Sequence, residues 1–308
     1  MTVVAAPAVV EPAIIRPLDP PWPVEPLWRS DADLPGVSRG GVLPAALAAR
    51  YAAALSVPLR DDRPTIVANF VSTLDGVVAL DRAGASGGRE ISGDFEPDRF
   101  VMGLLRATAD AVLVGAGTVR ASRTHGWTPT HAHPASDRAF AAWRHELGLP
   151  ATAPTTVIAT ASGSLEPAHI PADPAVPVII LTTATGARRL GGLPQADHVE
   201  IVPIGSGDSI PVERLVGFLH ARGFRVVVSE GGPALFGQLL GARAIDEVHL
   251  TLAPQLAGRS AAAERLSLVE DVVLGPAARW GRLLEVMRAG DHLFLRYQPS
   301  GTPREELP

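Results

Sequence analysis

Short apolar runs rich in Val and Ile recur from about residue 64 to residue 297, and several are followed by stretches whose apolar positions repeat with a helical period. The runs predict strands at 64–71, 111–115, 155–160, 178–182, 199–203, 225–229, 246–252 and 291–297. The longer-period stretches predict helices at 96–108, 212–222 and 233–240. Such alternation implies an α/β fold with a mainly parallel central sheet covered by helices on both faces, and ligands at the carboxyl ends of its strands. Outside this frame, 44–56 is a helix candidate by propensity, with Leu47, Tyr51 and Leu55 on one face. Residues 1 to about 25 show neither period and read as a flexible or draped tail. Residues 122–154 hold a possible helix at 136–147 and otherwise no clear pattern, which suits a lid or an insertion.

Three strand ends carry polar or glycine-rich turns. Val226-Val-Val-Ser-Glu-Gly-Gly-Pro-Ala-Leu-Phe236 reads as strand, tight loop and helix, with Pro233 suited to the first helical turn. Gly231 and Gly232 admit a ligand close to the backbone, and the free N–H groups of the helix start attract anions. Asp110-Ala-Val-Leu-Val-Gly-Ala-Gly-Thr118 repeats that grammar, so the two glycine loops suggest one crevice. It lacks the third glycine and the later acid of the dinucleotide fingerprint, which excludes an ordinary doubly wound dehydrogenase. Finally, Thr65-Ile-Val-Ala-Asn-Phe-Val-Ser-Thr-Leu-Asp-Gly76 places Asn69 inside a strand, where a buried amide needs partners. Asp75 at its end is either a turn former before Gly76 or a functional acid.

Composition narrows the function. The 308 residues are 46% hydrophobic and 19% charged, enough for one large α/β domain with an extension. A formal net charge of −5 and no basic block argue against a nucleic-acid partner. No apolar run reaches the roughly 18 residues of a membrane span, and the N-terminus lacks the pattern of a secretory signal. With no cysteine there is neither a disulfide nor a cysteine-ligated metal site, and a cytoplasmic protein is expected. His125, His131 and His133 show no metal-ligand spacing and read as a solvated loop.

Together the motifs resemble the reductase domain of riboflavin biosynthesis, which occurs as the C-terminal half of bifunctional pyrimidine deaminase/reductases and as stand-alone proteins, and whose fold is similar to dihydrofolate reductase. The match runs in order through Asn69 with Ser72-Thr-Leu-Asp-Gly76, Leu105-Arg-Ala107 before Asp110-Ala111, and Gly115-Ala-Gly-Thr-Val119. It continues through Glu230-Gly-Gly-Pro233 to Asp246-Glu-Val248, Leu252-Ala-Pro254 and Gly258. Within the family, stand-alone actinobacterial members share the Gly-Thr-Val-Arg run. The missing cysteines exclude the family's zinc deaminase half.

The resemblance implies an N-terminal extension at 1–60, a reductase domain at 61–300 and a tail at 301–308. It also implies NADPH as cofactor, with hydride transfer to C1 of a ribosylaminopyrimidine phosphate giving the ribityl product. Asp75 and Glu230 are then the expected catalytic residues, and Asn69 and Arg106 the substrate contacts. The cofactor falls to Gly115, Gly117, Thr118 and Ser122, and to Gly231, Gly232, Pro233, Ala234 and Leu235, with the helix start extending to Gln238. Arg188 and Arg189 are candidates for the 2′-phosphate. A homodimer through the later strands is the family's default.

Two departures bear on the substrate. After Thr118 the bifunctional enzymes continue into Asp-Asp-Pro and a phosphate-holding Arg, whereas this chain reads Val119-Arg-Ala-Ser-Arg-Thr-His-Gly-Trp127, so Arg120 or Arg123 would have to supply a phosphate contact. Gly88-Arg89-Glu90 stands where those enzymes place Ser-x-Trp. A reductase of dihydrofolate or another pterin-like ring is therefore one alternative, and a nucleotide-binding protein without turnover is another.

Overall fold

In a computed structural model of the chain, which describes residues 22–30, 36–80, 88–122, 126–192, 196–205, 207–260, 265–274 and 278–299, the apolar runs assemble into one ten-stranded sheet. Its strands are β1 (Glu25–Arg29), β2 (Thr65–Ser72), β3 (Ala111–Gly115), β4 (Thr155–Thr160) and β5 (Val178–Thr183). Then come β6 (Val199–Gly205), β7 (Val226–Ser229), β8 (Glu247–Leu252), β9 (Gly281–Ala289) and β10 (His292–Pro299). The spatial order is β1-β9-β10-β8-β2-β7-β3-β4-β5-β6. Every pairing from β8 across to β6 is parallel, while β1, β9 and β10 extend the sheet antiparallel. The mainly parallel α/β fold expected from the sequence is thus the fold observed.

Helices α1 (Glu96–Thr108), α2 (Ala116–Ala121), α3 (Asp137–Glu146), α4 (Ala184–Leu190), α5 (Val212–Ala221) and α6 (Pro233–Gly241) cover the sheet. Side chains alternate across a strand, so each central strand feeds both faces. Val67, Val226 and Val228 pack with Phe100 and Leu104 of α1 and with Phe140 and Trp143 of α3. Ile66, Ala68 and Val227 pack with Leu215 of α5 and with Phe236 and Leu239 of α6.

Two acids tie the amino ends of the parallel strands together. Asp110 accepts hydrogen bonds from the backbone N–H groups of Arg225 and Val226, both at 2.8 Å, and from Arg39 at 2.7 Å. Asp246 accepts from the N–H of Ile66 at 2.9 Å and a two-pronged bond from Arg63, each contact 2.7 Å. These family-motif acids are structural and lie at the opposite end of the strands from the glycine loops.

Four expectations change. The helix read at 44–56 is only Ala45–Ala48, because the chain then turns into the strand Leu55–Pro58, which pairs antiparallel with Ser38–Gly41. The run read as a tail to about residue 25 enters the structure at its end: Val24 is wholly buried and bridges Tyr51, and Glu25 opens β1. Residues 126–154 pack against the core rather than standing apart as a lid: the helix expected at 136–147 is α3, and with Pro129–Ala132 it packs on α1 and buries Phe140, Trp143 and Arg144. His133 is not solvated; it is buried between Phe100 and Phe140, with Nε2 hydrogen-bonded to Glu96. His131 is exposed and His125 lies outside the described residues.

Candidate active site

The carboxyl ends of β2, β7, β3 and β4 open onto a cleft of about 960 Å³. Its middle is built from the two glycine loops, which face each other across the β7–β3 pair. A Cβ on Gly232 would lie 3.2 Å from Thr118 Oγ1, and one on Gly115 would lie 3.8 Å from Leu235. Gly231 is glycine for space, since a Cβ there would stand 2.5 Å from Leu235 Cδ2. Of the expected cofactor residues, Gly115, Gly117, Thr118, Gly231, Gly232, Pro233, Ala234 and Leu235 line the cleft, as does Gln238. Ser122 instead ends α2, its N–H bonded to Thr118 O, and does not line the cleft. Pro233 stands at the start of α6, whose nine residues leave their first N–H groups directed at the same space.

Two of the four expected substrate and catalytic residues, Asn69 and Glu230, are on the cleft wall. Glu230 follows β7 directly, its N–H bonded to Leu113 O at 2.9 Å. Its carboxylate is held by Arg106 in a two-pronged pair, Nε to Oε1 at 2.9 Å and Nη2 to Oε2 at 2.6 Å. Arg106 is buried and also donates to the carbonyls of Thr128 at 3.0 Å and Gly126 at 3.3 Å. It is not among the residues lining the cleft, and its side chain holds Glu230 in place. The carbonyls at the end of α1 are bonded in turn by buried Arg144, which donates to Ala109 O at 2.8 Å, Arg106 O at 3.3 Å and Ala107 O at 3.4 Å. A cation at a helix carboxyl end suits the helix dipole, and burial brings the Arg144 pKa down to about 10.

Asp75 is exposed and off the cleft. Its carboxylate accepts from Thr73 Oγ1 at 2.6 Å, from Gly258 N at 2.6 Å and from Ala257 N at 3.0 Å, pinning the 72–76 turn to the 257–258 loop. Those bonds, the one from Thr73 first, hold its pKa down to about 2. A carboxylate so fully bonded is a poor proton carrier, so the geometry favours the turn-forming reading of Asp75.

The sequence reading missed Asp98. It sits in the first turn of α1, is buried, and lines the cleft with Asn69 and Glu230. Burial pushes its pKa up to about 6 and the nearby Glu230 charge adds to the rise, while hydrogen bonds with Thr251 and Ser92 oppose it. A carboxyl that titrates near neutrality in a cleft is the expected profile of a general acid. The signal was weak, because an acid in a first helical turn is ordinarily there for the helix dipole. Gly88, at the second departure from the bifunctional enzymes, also lines the cleft.

Comparison with known proteins agrees with this architecture. The model of the RibD C-terminal domain matches residues 64–273. A curated relative, the 2,5-diamino-6-ribosylamino-4(3H)-pyrimidinone 5′-phosphate reductase of Methanothermobacter thermautotrophicus, is 28% identical over 197 residues, covering 64% of this chain and 80% of the relative. Among solved structures, a pyrimidine reductase-like protein of Corynebacterium diphtheriae superposes with a TM-score of 0.56 at 20% identity, over 78% of this chain and 93% of that one. The deaminase/reductase of Thermotoga maritima gives 0.55 at 20% identity, over 78% of this chain and 57% of that longer one. At these identities the structures speak for the fold, and the matched domain model speaks for the family: the chain belongs to the RibD C-terminal domain family.

Proposed function

We propose that this protein is an NADPH-dependent reductase of a ribosylaminopyrimidine phosphate in riboflavin biosynthesis. One observation carries the reading: a buried carboxyl, Asp98, whose burial raises its pKa, shares a cleft with two facing glycine loops and a helix amino end. The donor set fits a dinucleotide, since Gly115 to Thr118 and Gly231 to Leu235 offer backbone where side chains would block a diphosphate. Bound NADPH would supply the hydride that adds to C1 of the ribosylamino group.

The chain's own residues then have three tasks. Asp98 would donate a proton to the ribose ring oxygen as the C1–O bond breaks and the lone pair of the exocyclic ribosylamino nitrogen forms C1=N, the double bond that a supplied hydride would reduce to the ribityl amine. One proton and one hydride are consumed, and Asp98 is reprotonated from water after product leaves. Glu230, fixed by Arg106, accepts hydrogen bonds from ribose hydroxyls or the heterocycle, and Asn69 orients the ring beside it. Asp75 ties the turn after β2 to the 257–258 loop. Holding the reactants at attack distance contributes about 7–11 kcal/mol in favourable cases.

NADPH oxidation, followed by absorbance, tests the reading with three substrates: the 2,5-diaminopyrimidinone ribosyl phosphate, its deaminated uracil counterpart, and dihydrofolate. Turnover of either ribosyl phosphate supports it. Turnover of dihydrofolate alone would move the protein to the pterin alternative, and silence with all three would sink the proposal. A cytoplasmic location, where NADPH is available, and a homodimer belong to the same proposal; sedimentation analysis reads the latter.

A further inference from the structure

Among the described residues the cleft wall carries five carboxylates, Asp98, Asp208, Glu230, Glu270 and Asp271, and one cation, Arg120. A phosphate monoester with a charge of about −2 needs a cation to enter so acidic a space. Arg106, behind Glu230, is spent on that carboxylate and two carbonyls.

The sheet order says which phosphate Arg120 meets. Asn69 lies on β2, Gly231 and Gly232 follow β7, Gly115 to Thr118 follow β3, and Ala161 follows β4, all on neighbouring parallel strands. Strands lie about 4.8 Å apart, so the β4 end is roughly 14 Å from β2. A dinucleotide with its reacting ring by Asn69 and its diphosphate between the glycine loops therefore brings its adenosine to the loop after β4. Arg120 is fastened there: Nη1 donates to Ser164 O at 3.2 Å, and the guanidinium forms no ion pair among the described residues. From the helix after β5, Arg189 reaches the same loop, Nη1 to Ser162 O at 3.2 Å. Arg188 turns to Thr185 instead, and neither Arg188 nor Arg189 lines the cleft.

We propose that Arg120 selects a 2′-phosphorylated dinucleotide over its unphosphorylated form, with Arg189 as an outer second cation. This rests on the cleft being a dinucleotide site. Asp208, also on the wall, pulls the other way, since a carboxylate accepts a hydrogen bond from a free 2′-hydroxyl and repels a phosphate. The proposal is that Arg120 prevails because it is fastened to the loop after β4, whereas Asp208 follows β6, two strands further out.

Binding titrations without substrate test it, using nicotinamide fluorescence for NADPH and NADH and calorimetry for 2′,5′-ADP and 5′-AMP. The proteins are the parent, Arg120→Ala and Arg189→Ala, each checked for an unchanged thermal midpoint. The parent should prefer NADPH. Loss of one charge-assisted hydrogen bond predicts a roughly 10- to 100-fold weaker NADPH and 2′,5′-ADP in Arg120→Ala, a smaller loss in Arg189→Ala, and unchanged NADH and 5′-AMP. Equal losses for both coenzymes would place Arg120 on the diphosphate and overturn the inference. So would intact 2′,5′-ADP binding with a raised KM for the ribosyl phosphate substrate, which would assign Arg120 to that substrate. A parent that binds neither coenzyme would instead fail the dinucleotide reading itself.

Discussion

Two aspartates of one type, displaced in opposite directions, separate chemistry from architecture. Asp98 is buried with its pKa up at about 6, whereas Asp75 is bonded by three donors and held near 2. As a general acid Asp98 acts in its protonated form, so kcat should fall as pH rises through about 6. Asp98→Asn should erase that limb and lower kcat by about 10²–10⁴-fold, read from the pH–rate profile. Stability should fall over the same pH range. The folded protein binds this proton more tightly than the unfolded chain, so the contribution is complete below the ordinary carboxylate range and is lost as pH rises through about 6. A displacement of about two units corresponds to ~3 kcal/mol at most, so Asp98→Asn should be the more stable protein at pH 8 and lose that advantage by pH 4, by denaturant titration. For Asp75 the sign reverses. Its contribution is present above the ordinary range and disappears as pH falls toward 2, so Asp75→Asn should melt earlier than the parent at pH 7 and with it at pH 2. An Asp75→Asn enzyme that kept its melting behaviour but lost kcat would return Asp75 to catalysis.

At the scale of elements, Glu230 is placed by a relay through two helices: α3 supplies Arg144, Arg144 bonds the last carbonyls of α1, and α1 supplies Arg106. Arg106→Met should cost up to about 3 kcal/mol, because it removes a buried guanidinium and leaves the Glu230 carboxylate, only 10% exposed, without its partner. The drop in unfolding free energy should come with a drop in kcat, while Arg106→Lys, a point charge without the fork, restores stability in part and kcat less. Sequence made most of this fold legible because the parallel strands are short continuous apolar runs and the helices between them carry a clean period. It failed where residues outside an element decide its shape. Ala45 to Leu55 has helical propensity throughout, yet Tyr51 is drawn to Val24 and Leu55 to Gly41, so strand pairing overrides propensity. Gly281–Ala289 is rich in Leu, Glu, Met and Arg, which favour helix, and becomes β9 only because β10 and β1 flank it. In the site, the glycine loops were readable because their chemistry is local. Asp98 was missed, and the pairing of Arg106 with Glu230 was not foreseen, because burial and partners far off in sequence set what each does.

For the molecule as a whole, the antiparallel end of the sheet decides what its surface offers. Among the described residues, β8, β9 and β10 each lie between two neighbours and β1 is the outermost strand, so a dimer joined edge to edge at this end would meet at β1. That outer strand comes from the segment that looked least structured in sequence, and it leaves Leu27 and Trp28 half exposed on its surface. It is fixed at one end by Val24, which exchanges backbone hydrogen bonds with Arg50 and Ala52, and at the other by Arg29, 3.5 Å from buried Glu285. Glu285 is otherwise bonded only by Tyr51, at 3.2 Å among the described residues, so the edge strand also shields a carboxylate from isolation. Removing residues 1–30 should therefore do more than shorten the chain. It uncovers the β9 edge, whose unpaired backbone groups template association between molecules. The expected outcome is a lower unfolding midpoint with concentration-dependent aggregation by light scattering, while Val24→Ala, which keeps β1 and loses most of one buried side chain, costs about 2 kcal/mol without aggregation. If the shortened protein stayed monodisperse and as stable as the parent, β1 would be an ornament on a sheet that ends at β9.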